Sequence, residues 1–154
     1  PELYRSLAEA GAVFHYVSAS PWQLYPPLAE FRREAGFALG TFHLKYVRFS
    51  DSTVMDLFGS QEEFKTVQIE ALLAAFPRRR FVFVGDTGEQ DPEIFAALAR
   101  KHPDQVAAIF LRDVTGQPAD DQRFQEAFRG VPAANWTLFR EPGEIRQRAL
   151  SVLR

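Results

Sequence analysis

Short runs of β-branched and aromatic residues alternate along the chain with longer stretches in which apolar residues recur every three to four positions. Strands are predicted over residues 13–17, 41–47, 80–84, 106–111 and 136–139. Helices are predicted over residues 3–10, 21–35, 61–76, 92–100, 121–129 and 144–153, and residues 48–59 read as a loop with one helical turn at most. Leu24, Leu28 and Phe31 fall on one face of the second helix. In the third, Lys65, Ile69, Leu72 and Phe76 form a single stripe headed by a charge. Strand 80–84 is a nearly continuous apolar run, as expected of a parallel strand covered on both faces. Strands and helices in strict alternation are the pattern of βα units, so the predicted fold class is α/β with a mostly parallel sheet. No internal repeat, low-complexity tract or dividing linker interrupts the chain, and one domain over residues 1–154 is expected.

Composition narrows the field. With 46% apolar and 25% charged residues, the 154-residue chain has the balance of an ordinary globular domain. A formal net charge of -2 gives no global pull toward nucleic acid, and the consecutive Arg78, Arg79 and Arg80 read as a solvated turn between a helix and a strand. The absence of cysteine excludes disulfides, thiolate nucleophiles and thiolate metal sites, and fits a cytoplasmic setting. The longest apolar stretches, such as residues 71–76, are far too short to span a bilayer. The chain starts at Pro1, and the expectation is that it is a piece of something longer.

In an open parallel sheet, ligands bind beyond the carboxyl ends of the strands, so polar residues there are the candidates. Ser18 ends the first strand. Ser20 followed by Pro21 reads as an N-cap and first helical residue, which would put free backbone N–H groups beside Ser18 as an anion site. Asp86 follows the third strand directly after Gly85, with Glu89 and Asp91 close behind; carboxylates at such an edge suit a hard cation such as Mg²⁺. Asp91 before Pro92 also reads as a helix N-cap. Ser60 and Glu63 form a capping box that starts the third helix near residue 61, so Lys65 sits in its first turns and faces the carboxyl edge. The histidines, His15, His43 and His102, lack metal-ligand spacing and read as structural. Trp22 and Trp136 read as packing residues, Trp22 also as a pocket rim, and no phosphate-cradling P-loop or dinucleotide loop is present.

A strand-end serine, a helical lysine and a strand-end Gly-Asp with a second acid is an order that resembles the haloacid dehalogenase-like phosphatases. The segments FHYVSASPWQLYPPL, TFHLKYVR, FKTVQIEALLAAFPRRRFVFVGDTGEQDPEIFAAL and VAAIFLRDV more closely resemble the catalytic domain of the actin-patch-associated phosphatidate phosphatase family. They cover much of residues 13–114, and the resemblance fades beyond Asp113. It implies a Rossmann-like three-layer sandwich of the haloacid dehalogenase type. It also implies a Mg²⁺-dependent phosphomonoesterase that acts on phosphatidate-like lipids, with transient contact at a membrane surface and no nucleic-acid partner. Ser18 and Ala19 would hold the phosphoryl oxygens, Lys65 would balance charge on phosphate and nucleophile, and Asp86 would hold Mg²⁺ with Asp91 in support and Glu89 as the alternative.

One departure limits the analogy. The superfamily's aspartyl nucleophile lies in an Asp-x-Asp motif on a first, central strand, and these residues contain no such motif. The central strand and nucleophile are therefore expected to be missing, and the chain by itself to be inactive. The short span between the second strand and the Lys65 helix leaves little room for a large cap. Two other readings stay open: a non-catalytic phosphate- or lipid-binding module, and a nucleotide-binding or signalling α/β domain.

Overall fold

A computed structural model describes residues 1–46 and 61–153, in two compact units, Pro1–Ile69 and Glu70–Arg154. The expected loop at residues 48–59, and Ser60 with its capping box, lie outside the described residues. Both units pair their strands in parallel and join them through helices, so the fold is α/β and Rossmann-like, as expected.

The first unit runs α1 (Glu2–Glu9), β1 (Phe14–Pro21), a 3-10 turn (Trp22–Leu24), α2 (Tyr25–Glu34), β2 (Gly40–Lys45) and the first part of α3 (Gln61–Ala75). Strands β1 and β2 pair in parallel from Phe14↔Gly40 to Ser18↔Leu44. The two-residue period sends Phe14 and Tyr16 to one face and His15 to the other. On the first face the rings assemble a cluster: Tyr4 lies 5.3 Å from both Phe14 and Phe37, and Tyr16 stacks 5.1 Å from Phe42. Tyr25 of α2 meets Phe42 edge-on, and the Tyr16 hydroxyl donates to the Ala38 carbonyl at 2.6 Å. Such pairs add roughly 0.5–1.5 kcal/mol each beyond the area they bury. On the opposite face the Thr41 hydroxyl sits between His15 Nδ1 (2.7 Å) and His43 Nε2 (3.0 Å), a polar tie across the two strands. Helix α2 closes at Gly36, whose φ of 71° places it in the left-handed region that only glycine enters without strain.

Helix α2 differs from the expectation. Strand β1 continues through Pro21, which is itself extended (φ -57°, ψ 142°), and the α-helix begins only at Tyr25. Ser20 is therefore not its N-cap, and Pro21 is not its first residue. The start is set by Pro26 and Pro27, which lack N–H groups and fit the first turn, where an N–H has no partner anyway. Leu24 consequently falls in the 3-10 turn and Phe31 is 62% exposed, so the expected apolar face does not bury as one stripe.

The second unit contains the rest of α3, then β3 (Phe81–Asp86), α4 (Asp91–Lys101), β4 (Val106–Arg112), α5 (Gln122–Ala127), a 3-10 turn (Ala133–Asn135), β5 (Trp136–Phe139) and α6 (Pro142–Val152). Its sheet has the order β3-β4-β5. The strand buried on both faces is β4, with Ala108, Ile109, Phe110 and Leu111 almost wholly inaccessible. Strand β3 lies at the edge of its sheet, so its apolar run is half-buried apart from Phe83. Helix α4 packs on β3 and β4 through a face that includes Ile94, Phe95 and Leu98, and α6 packs on β4 and β5 through Ile145 and Ala149. Trp136 stacks on Phe128 at 4.2 Å, the packing role expected of it. Arg78, Arg79 and Arg80 form the exposed turn between α3 and β3.

Candidate functional site

In the first unit Ser18 and Ala19 lie where β1 leaves its register. Ser18 pairs with Leu44, but the next paired residue is Pro21, opposite Lys45, so Ala19 and Ser20 form a bulge. Two short-range bonds hold it: the Ser18 hydroxyl donates to Ser20 Oγ at 3.0 Å and accepts the Ser20 N–H at 3.2 Å. A bulge of this kind bends a strand end and re-aims its side chains, a device common beside binding sites. Because the strand continues to Pro21, no α-helix N-terminus follows Ser18 directly, and the free α-helical N–H groups expected beside it are not there. Trp22 follows, 48% exposed and stacked on Tyr46 at 5.9 Å. Lys65 is half-buried on α3, one turn before the buried Ile69 and ahead of Leu72. The stripe ends there: α3 stops at Ala75, and Phe76 beyond it is 43% exposed.

In the second unit, Asp86 is the last residue of β3 and Asp91 the first of α4. Asp91 is not the N-cap, since Gln90 occupies that position without a side-chain bond. Its carboxylate instead reaches back and accepts the Asp86 N–H at 3.2 Å. Asp86 Oδ1 in turn accepts the Gly88 N–H at 2.8 Å. Asp91 is buried, and a Cβ at Gly85 would stand 2.3 Å from its Oδ2 and 2.8 Å from the Phe95 ring. Glycine at position 85 is thus what lets the Asp91 carboxylate lie against the strand end. Glu89 is exposed in the connecting loop. The structure brings Asp86 and Asp91 together, and among the described residues no group of three or more acidic or histidine side chains forms a cage. Two carboxylates fit Mg²⁺, which is usually held by one or two carboxylates together with waters and a phosphate.

The loop between these aspartates is fastened by residues that local sequence patterns did not single out. Arg123 Nη1 donates to the Thr87 carbonyl (2.7 Å) and Nη2 to the Glu89 carbonyl (2.5 Å). The same guanidinium grips both Glu93 oxygens, at 2.7 Å and 3.0 Å. Burial pushes the Glu93 carboxyl up, but the hydrogen bonds and charge of Arg123 outweigh it and hold the group below its ordinary value. The fully buried Thr87 hydroxyl lies 3.0 Å from that of Thr115 and accepts the Val114 N–H at 3.0 Å. Nearby, Asp113 accepts the Gly116 N–H (2.7 Å) and Arg140 Nε (3.1 Å), contacts that keep its carboxyl below the ordinary range. The Arg123 bonds span 30–36 residues of chain, so no short motif carries the signal.

Residues 1–113 match the catalytic domain of phosphatidate phosphatase APP1. The chain belongs to this family. Phosphatidate phosphatase APP1 of Saccharomyces cerevisiae is 32% identical over 121 residues, which cover 78% of this chain and 20% of that protein. An uncharacterized protein of Schizosaccharomyces pombe is 30% identical over 111 residues, 72% of this chain and 18% of that protein. The chain thus spans about a fifth of the length of the curated relatives it matches. No solved structure matches it. Ser18, Ala19, Lys65, Asp86, Glu89 and Asp91 all lie within the stretch matched to the phosphatidate phosphatase APP1 catalytic domain, whereas Thr115 and Arg123 lie beyond it. Among the described residues, no helix is long and apolar enough to cross a membrane.

Proposed function

We propose that residues 1–154 are one catalytic domain, of the haloacid dehalogenase type, from a Mg²⁺-dependent phosphatase that hydrolyses phosphatidate-like lipid phosphates at a membrane surface on the cytoplasmic side. The observation that carries the reading is the Asp86–Asp91 pair, in which the Asp91 carboxylate accepts the Asp86 backbone N–H at the carboxyl end of a parallel strand, in a chain of the phosphatidate phosphatase APP1 family. In this reading Asp86 holds the cation, Asp91 supports it, and Glu89 is the alternative ligand from the exposed part of the loop. Ser18 and Ala19, at the β1 bulge, bind phosphoryl oxygens, and Lys65 offsets negative charge. When bound, Mg²⁺ would supply further charge neutralisation at the phosphoryl group.

These residues bind and orient; they do not include the attacking group. The 154 residues contain no Asp-x-Asp, so the chain is expected to bind Mg²⁺ and phosphate without turnover. That same observation favours a second reading, a phosphate- or lipid-binding module with no catalytic role. Titration calorimetry with inorganic phosphate and dioctanoyl phosphatidate, with and without Mg²⁺, tests the first reading. Mg²⁺-dependent binding should weaken at least tenfold in Asp86→Asn and in Ser18→Ala, and the chain should release no phosphate. Binding indifferent to both substitutions would refute the site. Phosphate release from phosphatidate by the whole parent protein, or its absence, then separates enzyme from module.

A further inference from the structure

Arg123 stands outside the stretch matched to the family, yet it makes two bonds to the short connection between the two aspartates and two more to Glu93 in the first turn of α4. Only residues 87–90 separate β3 from α4. Two of their carbonyls, those of Thr87 and Glu89, are engaged by the guanidinium, and the Glu93 carboxylate in the first turn of α4 completes the grip. Thr87 cannot yield easily from the other side, since it is fully buried and its hydroxyl is tied to Thr115 and Val114. The loop is therefore held at both ends of its path by residues 114–123, which fixes where Asp86 and Asp91 stand relative to one another.

We propose that Arg123 is a positioning residue that sets both the affinity and the cation preference of the Asp86–Asp91 site. The proposal rests on the assignment of those aspartates to metal binding. Its chemistry follows from what backbone carbonyls are: hard oxygen donors that suit Ca²⁺, which takes six to eight oxygens in a pliable shell. Mg²⁺ asks for few protein ligands, rigidly placed, and keeps its waters. A guanidinium that engages the Thr87 and Glu89 carbonyls withdraws two such donors and stiffens the loop, so both effects favour the smaller ion. Lysine cannot replace it, because a single ammonium does not present the planar fork that reaches two carbonyls and a carboxylate together.

The test is Mn²⁺ binding to the 154-residue chain, followed by electron paramagnetic resonance, with displacement by Mg²⁺ and by Ca²⁺. Asp86→Asn defines the site, because its Mn²⁺ binding should be lost. Arg123→Gln should weaken Mn²⁺ and Mg²⁺ by about 10- to 100-fold, the range seen when groups that orient metal ligands are removed. Ca²⁺ should lose far less, so the ratio of Mg²⁺ to Ca²⁺ affinity falls. Arg123→Lys, which keeps the charge and disturbs the fold less, should show the same fall in ratio. A wild-type affinity and ratio in a folded Arg123→Lys or Arg123→Gln protein overturns the proposal while leaving the metal site standing. A wild-type chain with no Mn²⁺ binding that depends on Asp86 overturns the metal assignment, and this role with it.

Discussion

The two strand ends that carry the candidate residues are built in opposite ways. At the end of β1, Ser18 is held by a neighbour two positions away, through a bulge whose bonds are short-range and partly exposed. At the end of β3, Asp86 and Asp91 flank a loop pinned by residues up to 36 positions distant, around a fully buried threonine. The first site can adjust at little cost to the fold. The second is less free, because the Arg123 bonds tie the loop and α4 to α5, and the Thr87 hydroxyl ties the loop to Val114 and Thr115 beyond β4. A phosphoryl-binding hydroxyl tolerates some freedom, whereas a cation site depends on fixed ligand spacing, and that difference is what the roles proposed for the two ends would require.

The sharpest way to break this contrast is at Gly85. Gly85→Ala puts a methyl group against the Asp91 carboxylate and the Phe95 ring, both buried on α4, so neither can simply swing aside. Overpacking of this sort is expected to cost roughly 1–3 kcal/mol, measured as a shift in the urea midpoint. A wild-type midpoint would mean that the β3 end is as yielding as the β1 end.

A smaller effect belongs to the Arg123–Glu93 pair. Both side chains are partly exposed, so Glu93→Gln should destabilise by about 0.5–1 kcal/mol at neutral pH. The folded-state value of Glu93 lies below its ordinary 4.5, so the pair's contribution is fully present above that pH and is lost as the pH falls through the folded value. The gap in thermal midpoint between wild type and Glu93→Gln should therefore be constant near neutrality and close in acid below about pH 4.5. A gap that does not depend on pH would remove the ion pair from the account.

The smallest effect is expected at Ser18. Among the described residues, Ser18→Ala deletes only bonds to Ser20 in a part-buried bulge, and it should change stability by a few tenths of a kcal/mol. A loss above about 1.5 kcal/mol would show that the hydroxyl is a structural strut.

What could be read in advance divides along the same line. The strands were legible because β-rich runs alternate with helical periodicity, and β5 was placed to the residue at Trp136–Phe139. The positions of Asp86 at the end of β3 and of Ser18 near the end of β1 were legible, since a strand end is a local feature. The start of α2 was misplaced because Ser-Pro and Pro-Pro both suit a helix start, and only the second does so here. The edge position of β3 was hidden because an apolar run does not say which neighbours a strand has. Arg123, Thr115 and Glu93 could not be found from spacing at all, since an arginine on a short helix looks like surface until the chain folds back on it.

The reach of Arg123 also bears on the order in which the protein takes shape as it is synthesised. When residue 113 has been added, the stretch matched to the family is complete, but the residues that clasp the aspartate loop have not yet been made. The loop gains its fastening only once Thr115 and Arg123 emerge and α5 docks on α4. A gene trimmed at the end of the family match would encode both aspartates and omit the clasp that spaces them.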